Sequence, residues 1–206
     1  MIISDGRVLW HTPGDWYGRE GCIMAKVYEW IDDTLAAFIG RQHLFFVGSA
    51  PSGAEGHVNL SPKGLDTFRI LDPLTVAYLD FTGSGIETLA HLRQNGRITV
   101  LFCALEGPPK IVRLYGRGTV LEPDHPEFPA LRARFPEYAG VRSVVRVAVE
   151  RISDSCGFGV PRYQYQDDRT QLLDWATHQG PERLEAYRQE HSRSIDGLVG
   201  SGRGTE

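Results

Sequence analysis

The sequence predicts a mainly β, α+β fold: an antiparallel barrel with helices packed on its outside. Two observations carry that prediction. At least six strand-length apolar or alternating segments stand against three or four helical patterns, and most of the strands are joined by short turns. A doubly wound parallel sheet would instead alternate strand with helix along the chain. With 206 residues, 41% hydrophobic and 23% charged, the chain is long enough for one substantial core and too short for two large domains.

Residues 1–23 hold Gly6, Trp10, Pro13, Gly14, Trp16, Gly18 and Gly21 without a sustained period, and read as an irregular N-terminal extension. From Glu29 the pattern changes. Ile31, Leu35, Phe38 and Ile39 recur at helical spacing, Asp32 and Asp33 suit the positive end of the helix dipole, and the helix should end near Gly40. Residues 43–49 form a short aromatic strand. In the next segment His57, Asn59, Ser61 and Lys63 fall on one face and Val58 and Leu60 on the other. Such a strand is either an exposed edge, which Pro62 would suit, or the wall of a ligand cavity.

Residues 67–71 and 74–79, turned by Asp72-Pro73, make an antiparallel hairpin. A helix carrying Ile86, Leu89, Ala90 and Leu92 follows and should stop at Asn95-Gly96. Residues 97–104 and 110–121 are strands, the second with Arg113, Tyr115 and Arg117 on one face and Gly116 and Gly118 permitting close approach. A short helix fits residues 124–138. Residues 141–152 alternate as a strand with one wet face, placing Val144, Arg146, Ala148 and Glu150 against Val145, Val147 and Val149. The remainder, 155–206, reads as a helical extension with Pro181 in a first turn, ending in a flexible glycine-rich tail.

A net charge of −4 with charges of mixed sign excludes a general nucleic-acid surface. No apolar run reaches the length of a membrane helix, and residues 1–23 lack the layout of a signal peptide, so the expected compartment is the cytoplasm. Cys22, Cys103 and Cys156 fit neither a disulfide framework nor a zinc site, Cys103 reads as a buried hydrophobe, and the scattered histidines predict no metal.

Chemistry concentrates at Thr82-Gly83-Ser84-Gly85-Ile86-Glu87-Thr88, where a buried strand turns into a helix. Ser84 and Glu87 have the spacing of a capping box, with Ser84 as N-cap. The same turn presents backbone N–H groups at the positive end of a dipole, and Gly83 and Gly85 remove the side chains that would keep an anion away, although the Glu87 carboxylate opposes one. Lys63, with the hydroxyls of Thr82, Ser84 and Thr88, completes a donor set suited to a phosphomonoester. Arg113 and Arg117 are further candidates. No nucleophile elbow is present, and His57 and His91 are weighed as acid–base residues against solvated or capping roles.

Three segments, Gly56-His57-Val58-Asn59-Leu60-Ser61-Pro62-Lys63-Gly64, residues 82–92, and Arg113-Leu114-Tyr115-Gly116-Arg117-Gly118, resemble in order and spacing the pyridoxamine 5'-phosphate oxidase-like family of FMN-binding split barrels. Residues 155–161 and Ser194-Ile195-Asp196-Gly197-Leu198 resemble a subgroup of it whose substrates are mostly unassigned. The resemblance covers about residues 24–198. It implies a six-stranded antiparallel split barrel over 24–154, and a homodimer that binds FMN at its interface and acts as an oxidoreductase on a small organic substrate. It also implies a cofactor site built from Asn59, Ser61, Lys63, Thr82, Gly83, Ser84, Gly85, Thr88 and Arg113. The true oxidases carry a Ser-Arg-Lys triplet at the helix start, where this sequence has Glu87-Thr88-Leu89, and a flavin-contacting Gln where it has Ile111. Some split-barrel relatives use a deazaflavin or handle haem, which leaves a deazaflavin-dependent reductase or a non-catalytic binding module as alternatives.

Overall fold

The computed structural model describes residues 3–4, 7–8 and 26–201. Strands β1 (Ile3–Ser4) and β2 (Arg7–Val8) pair with each other, and the rest of the expected N-terminal extension lies outside the described residues. Then come β3 (Val27–Tyr28), α1 (Asp33–Gly40), β4 (Phe45–Ser49), β5 (Asn59–Lys63), β6 (Phe68–Asp72) and β7 (Thr75–Phe81). The chain continues through α2 (Glu87–Asn95), β8 (Arg97–Cys103), β9 (Ile111–Leu121), α3 (Phe128–Arg132), β10 (Val141–Ser155) and α4 (Gln171–Glu190).

The main sheet runs β5-β4-β8-β9-β10-β7-β6, with β3 added to β10, and every pairing is antiparallel. It is the expected antiparallel split barrel with helices outside, its strand count raised to eight by short elements such as the two-residue β3. The sheet curls until its margins meet through side chains. Phe45, beside the β5 margin, lies edge-on to Phe68 of the β6 margin at 5.3 Å, and Phe68 meets Phe102 at 4.9 Å. Contacts of this kind add about 1 kcal/mol each beyond the area they bury. Val47, Tyr78, Val100, Val112, Leu114, Val145 and Val147 fill the inside of the curl.

Local chemistry explains the boundaries. Asp32 caps α1 by accepting from the Leu35 N–H at 2.8 Å, and the helix lays Leu35, Phe38 and Ile39 onto the core. Gly96 ends α2 with φ +70°, a left-handed cap open to glycine at little cost. At Gly116 a side chain is impossible, because a Cβ would stand 2.1 Å from the Ala148 carbonyl oxygen where β10 bulges. Outside the barrel, Leu79 and Val144 pack with Phe135 beyond α3.

The C-terminal part departs from expectation. Helix α4 breaks at Gly180-Pro181, as Pro181 in a first turn predicts, but the chain beyond it is not a loose tail through Ser201. Arg93 Nε donates to the Gly200 carbonyl at 3.0 Å, and Gly200 sits so close to Ile86 that a Cβ there would lie 2.5 Å from its side chain. The glycines that suggested flexibility include the one that allows this close docking. Residues 202–204 of the predicted tail lie outside the described residues. Among the described residues no helix is long and apolar enough to cross a membrane, and no group of His, Cys, Asp or Glu could hold a metal ion.

Candidate functional site

A cleft of about 1300 Å³ opens at one end of the barrel, between β5, the turn from β7 into α2, the β8–β9 loop and the extended segment 163–169. Strand β5 shows why the polar residues line it. Asn59, Ser61 and Lys63 turn toward the cleft, while Leu60 is 66% exposed and Val58, just before the strand, 79% exposed. Both readings of this segment hold at once: it is an edge strand and also a cavity wall. Asn59 Nδ2 donates to Thr88 Oγ1 at 2.9 Å and to Ser61 Oγ at 3.2 Å, tying β5 to the first turn of α2.

Lys63 reaches across the split to β7, where its Nζ donates to Asp80 Oδ1 at 3.1 Å. Asp80 is buried, and its other oxygen accepts from Arg142 Nε at 2.8 Å. Arg142 in turn donates through Nη2 to the Gly85 carbonyl at 3.1 Å. Burial disfavours the Asp80 charge, but Arg142 and Lys63 outweigh it and hold the carboxyl below its usual range. Close by, Ser143 faces Asp80 in the β7–β10 register, and the buried hydroxyls of Tyr78 and Ser143 have no hydrogen-bond partner among the described residues.

The structure brings Asn59, Ser61, Lys63, Thr82, Gly83, Ser84, Gly85 and Thr88 to this one cleft. Arg113 is the exception. In β9 it alternates with buried Val112 and Leu114, so it stands on the outer face and donates to Ser155 Oγ at 3.0 Å, away from the cleft of its own chain. Sequence reading passes over Asp80, Arg142 and Arg188. Arg188 reaches from α4 to Thr82 Oγ1 at 2.8 Å and to the Val141 carbonyl. The available signal for Arg142 is a guanidinium inside an apolar strand run, which requires a buried partner.

The expected capping box does not form. Helix α2 begins at Glu87 with Ile86 as N-cap and no side-chain cap. The Glu87 carboxylate lies over Gly85, where a Cβ would come within 2.8 Å of Oε2, and it accepts from the Ile195 N–H at 3.4 Å. The docked C-terminal turn therefore claims the group that would have reached back to Ser84. Asp196 of that turn also grips the start of β5, accepting from the His57 N–H at 2.9 Å and meeting His57 Nδ1 at 2.6 Å. His91 is fully buried against Ser49 Oγ at 2.9 Å, burial lowers its pKa despite the carboxylates of Asp196 and Glu87, and its Nε2 has no hydrogen-bond partner among the described residues. At the far end of the cleft Tyr165 stacks on His43 at 3.7 Å, and the Tyr163 N–H donates to the Leu105 carbonyl, so segment 163–169 forms a wall. Of the cysteines, Cys103 is buried and Cys156 half-buried, both as free thiols, and Cys22 lies outside the described residues.

An antiparallel split barrel whose polar edge strand, glycine turn and helix start converge on one cleft defines a class of protein, and comparison with known sequences places the chain within it. The family model for pyridoxamine 5'-phosphate oxidase matches residues 31–156, and the chain belongs to the pyridoxamine 5'-phosphate oxidase family. It is 40% identical over 195 residues to the pyridoxamine 5'-phosphate oxidase family protein ustO of Aspergillus flavus, covering 86% of this chain and 78% of that one. Among solved structures, HupZ of Group A Streptococcus is similar at 23% identity and a TM-score of 0.46, covering 59% of this chain and 91% of that one. An FMN-binding protein of Syntrophomonas wolfei is similar at 13% identity and a TM-score of 0.42, covering 57% of this chain and 80% of that one.

Proposed function

We propose that the chain is an FMN-binding homodimer that acts as an oxidoreductase on a small organic substrate. The observation that carries this reading is the meeting of Lys63 with the Thr82–Thr88 turn in one cleft, although the two are supplied by separate strands. The donor set fits a phosphomonoester. Lys63 offers an ammonium, Thr82, Ser84 and Thr88 offer hydroxyls, and the first N–H groups of α2 have no acceptor within the helix. At Gly83 nothing lies within 4 Å of where a Cβ would be, so the turn is open to a ligand. Asn59 and Ser61 would line the flavin from β5.

When bound, FMN would supply the redox chemistry. The chain's own residues would hold and orient it, and none of them is assigned as a catalytic acid or base. Membership of a family named for an oxidase supports the oxidoreductase class. The bare apolar side chains of Val58, Leu60 and Ile195, all more than 60% exposed, support a second copy of the chain on this margin.

The test is a titration of the purified protein with FMN, followed by flavin fluorescence and absorbance. The parent chain should bind FMN, and Lys63→Ala should weaken binding more than Ser84→Ala while both keep the parent's circular dichroism. A parent that neither carries nor takes up FMN overturns the reading. Equal affinity in all three proteins removes the phosphate assignment. Native mass spectrometry of the same sample reports subunit number and bound mass together.

A further inference from the structure

Between Thr82 and Leu92 the chain carries no Lys or Arg, and the one charged side chain in that stretch, Glu87, is anionic. Positive charge at the turn has to come from other elements. Lys63 brings one charge from β5 and Arg142 brings a second from β10, and both are held by a single carboxylate, Asp80. Two cations against one anion give these three groups a formal charge of +1, while Glu122, Glu185 and Arg188 line a small pocket on another side of Arg142. The side chains of Asp80 and Arg142 are only 2% and 6% exposed, so water and salt screen the charges of the trio poorly.

Arg142 also sets the backbone. Its Nη2 takes the Gly85 carbonyl at 3.1 Å, and in a trans peptide the C=O and the following N–H point in opposite directions. The Ile86 N–H therefore points away from the strand that carries Arg142. Without Arg142, Asp80 and Lys63 would form a neutral pair, and the Gly85–Ile86 peptide would lose the bond that fixes its orientation.

We propose that Arg142 is the positioning residue for the phosphate of the flavin: it orients the Gly83–Ile86 turn and, by sharing Asp80, leaves the charge of Lys63 available to the phosphate. This rests on the flavin reading above and goes beyond it, since it assigns the role of the absent helix-borne cations to a strand on the other side of the turn.

The experiment compares FMN with riboflavin, which has the same ring system and no phosphate. Arg142→Gln should weaken FMN binding by about tenfold or more, the usual scale for a charge-assisted contact, and leave riboflavin affinity nearly unchanged. Arg142→Lys, which keeps the charge without the fork, should recover part of the preference for FMN. Because Arg142→Gln leaves Asp80 to neutralise Lys63 alone, the double variant Arg142→Gln with Asp80→Asn is measured beside it; it frees Lys63 again and should recover part of the preference for FMN, the remaining loss coming from the unfixed Gly85–Ile86 peptide. If Arg142→Gln weakens FMN and riboflavin equally or leaves FMN affinity unchanged, or if the double variant shows no recovery, the proposal is overturned. A parent protein that binds neither flavin overturns instead the flavin reading beneath it.

Discussion

Two clusters in this molecule are built from nearly the same parts and differ in what they leave over. At the β3 margin, Lys110 Nζ meets Asp154 Oδ2 at 3.1 Å, Tyr28 Oη donates to the same oxygen at 2.5 Å, and the Lys26 N–H donates to Oδ1 at 3.0 Å. One cation faces one carboxylate, both partly exposed, and the result pins the two-residue β3 to β10. Beneath the cleft, Asp80 faces two cations, and Asp80 and Arg142 are far more deeply buried than either partner of the first pair. The first cluster is balanced and structural. The second has a formal charge of +1 among its three groups, and on the reading proposed above that charge meets the phosphate.

The contrast is broken most forcefully at Asp80. Asp80→Asn leaves Lys63 and Arg142 facing each other without their shared anion, and should lower unfolding stability by about 3–5 kcal/mol in urea titrations. Acid provides the next largest effect. Both aspartates have folded pKa values below the ordinary aspartate value of about 3.9. Their stabilising contribution is therefore complete above that value and is lost as pH falls through the folded values. Melting temperature recorded from pH 5 down to pH 2 should fall for the parent, with a shallower fall in Asp80→Asn than in Asp154→Asn. The smallest effect is expected from Asp154→Asn itself, about 1 kcal/mol of stability in the same urea titration and no change in FMN affinity, since that cluster lies away from the cleft.

The barrel was legible because its strands are bounded by local chemistry. Asp32 at the start of α1, Gly96 at the end of α2 and the close approach at Gly116 are all signals a few residues long. The polar face of β5 was legible for the same reason, since strand alternation fixes which residues share a side. What escaped depends on partners distant in the chain. Ser84 and Glu87 have capping-box spacing, yet Glu87 is engaged by Ile195, 108 residues later. Arg142 is 62 residues from Asp80, and period-2 reading of β10 gives no hint that its register shifts at Val141/Ser143. Arg113 shows another limit: alternation groups it correctly with Tyr115 and Arg117, but cannot say that this face of β9 looks outward.

The docking of residues 194–201 also sets an order of events during synthesis. The chain leaves the ribosome at about 5–20 residues per second, so the stretch from 156 to 201 follows the last strand over about 2–9 s. Asp80, Lys63 and Arg142 all precede that interval, whereas Arg188 and Asp196 arrive within it. The clasp that holds Thr82, Glu87 and His57 is thus the last part of the described chain to be supplied, after every strand of the sheet it grips has been made.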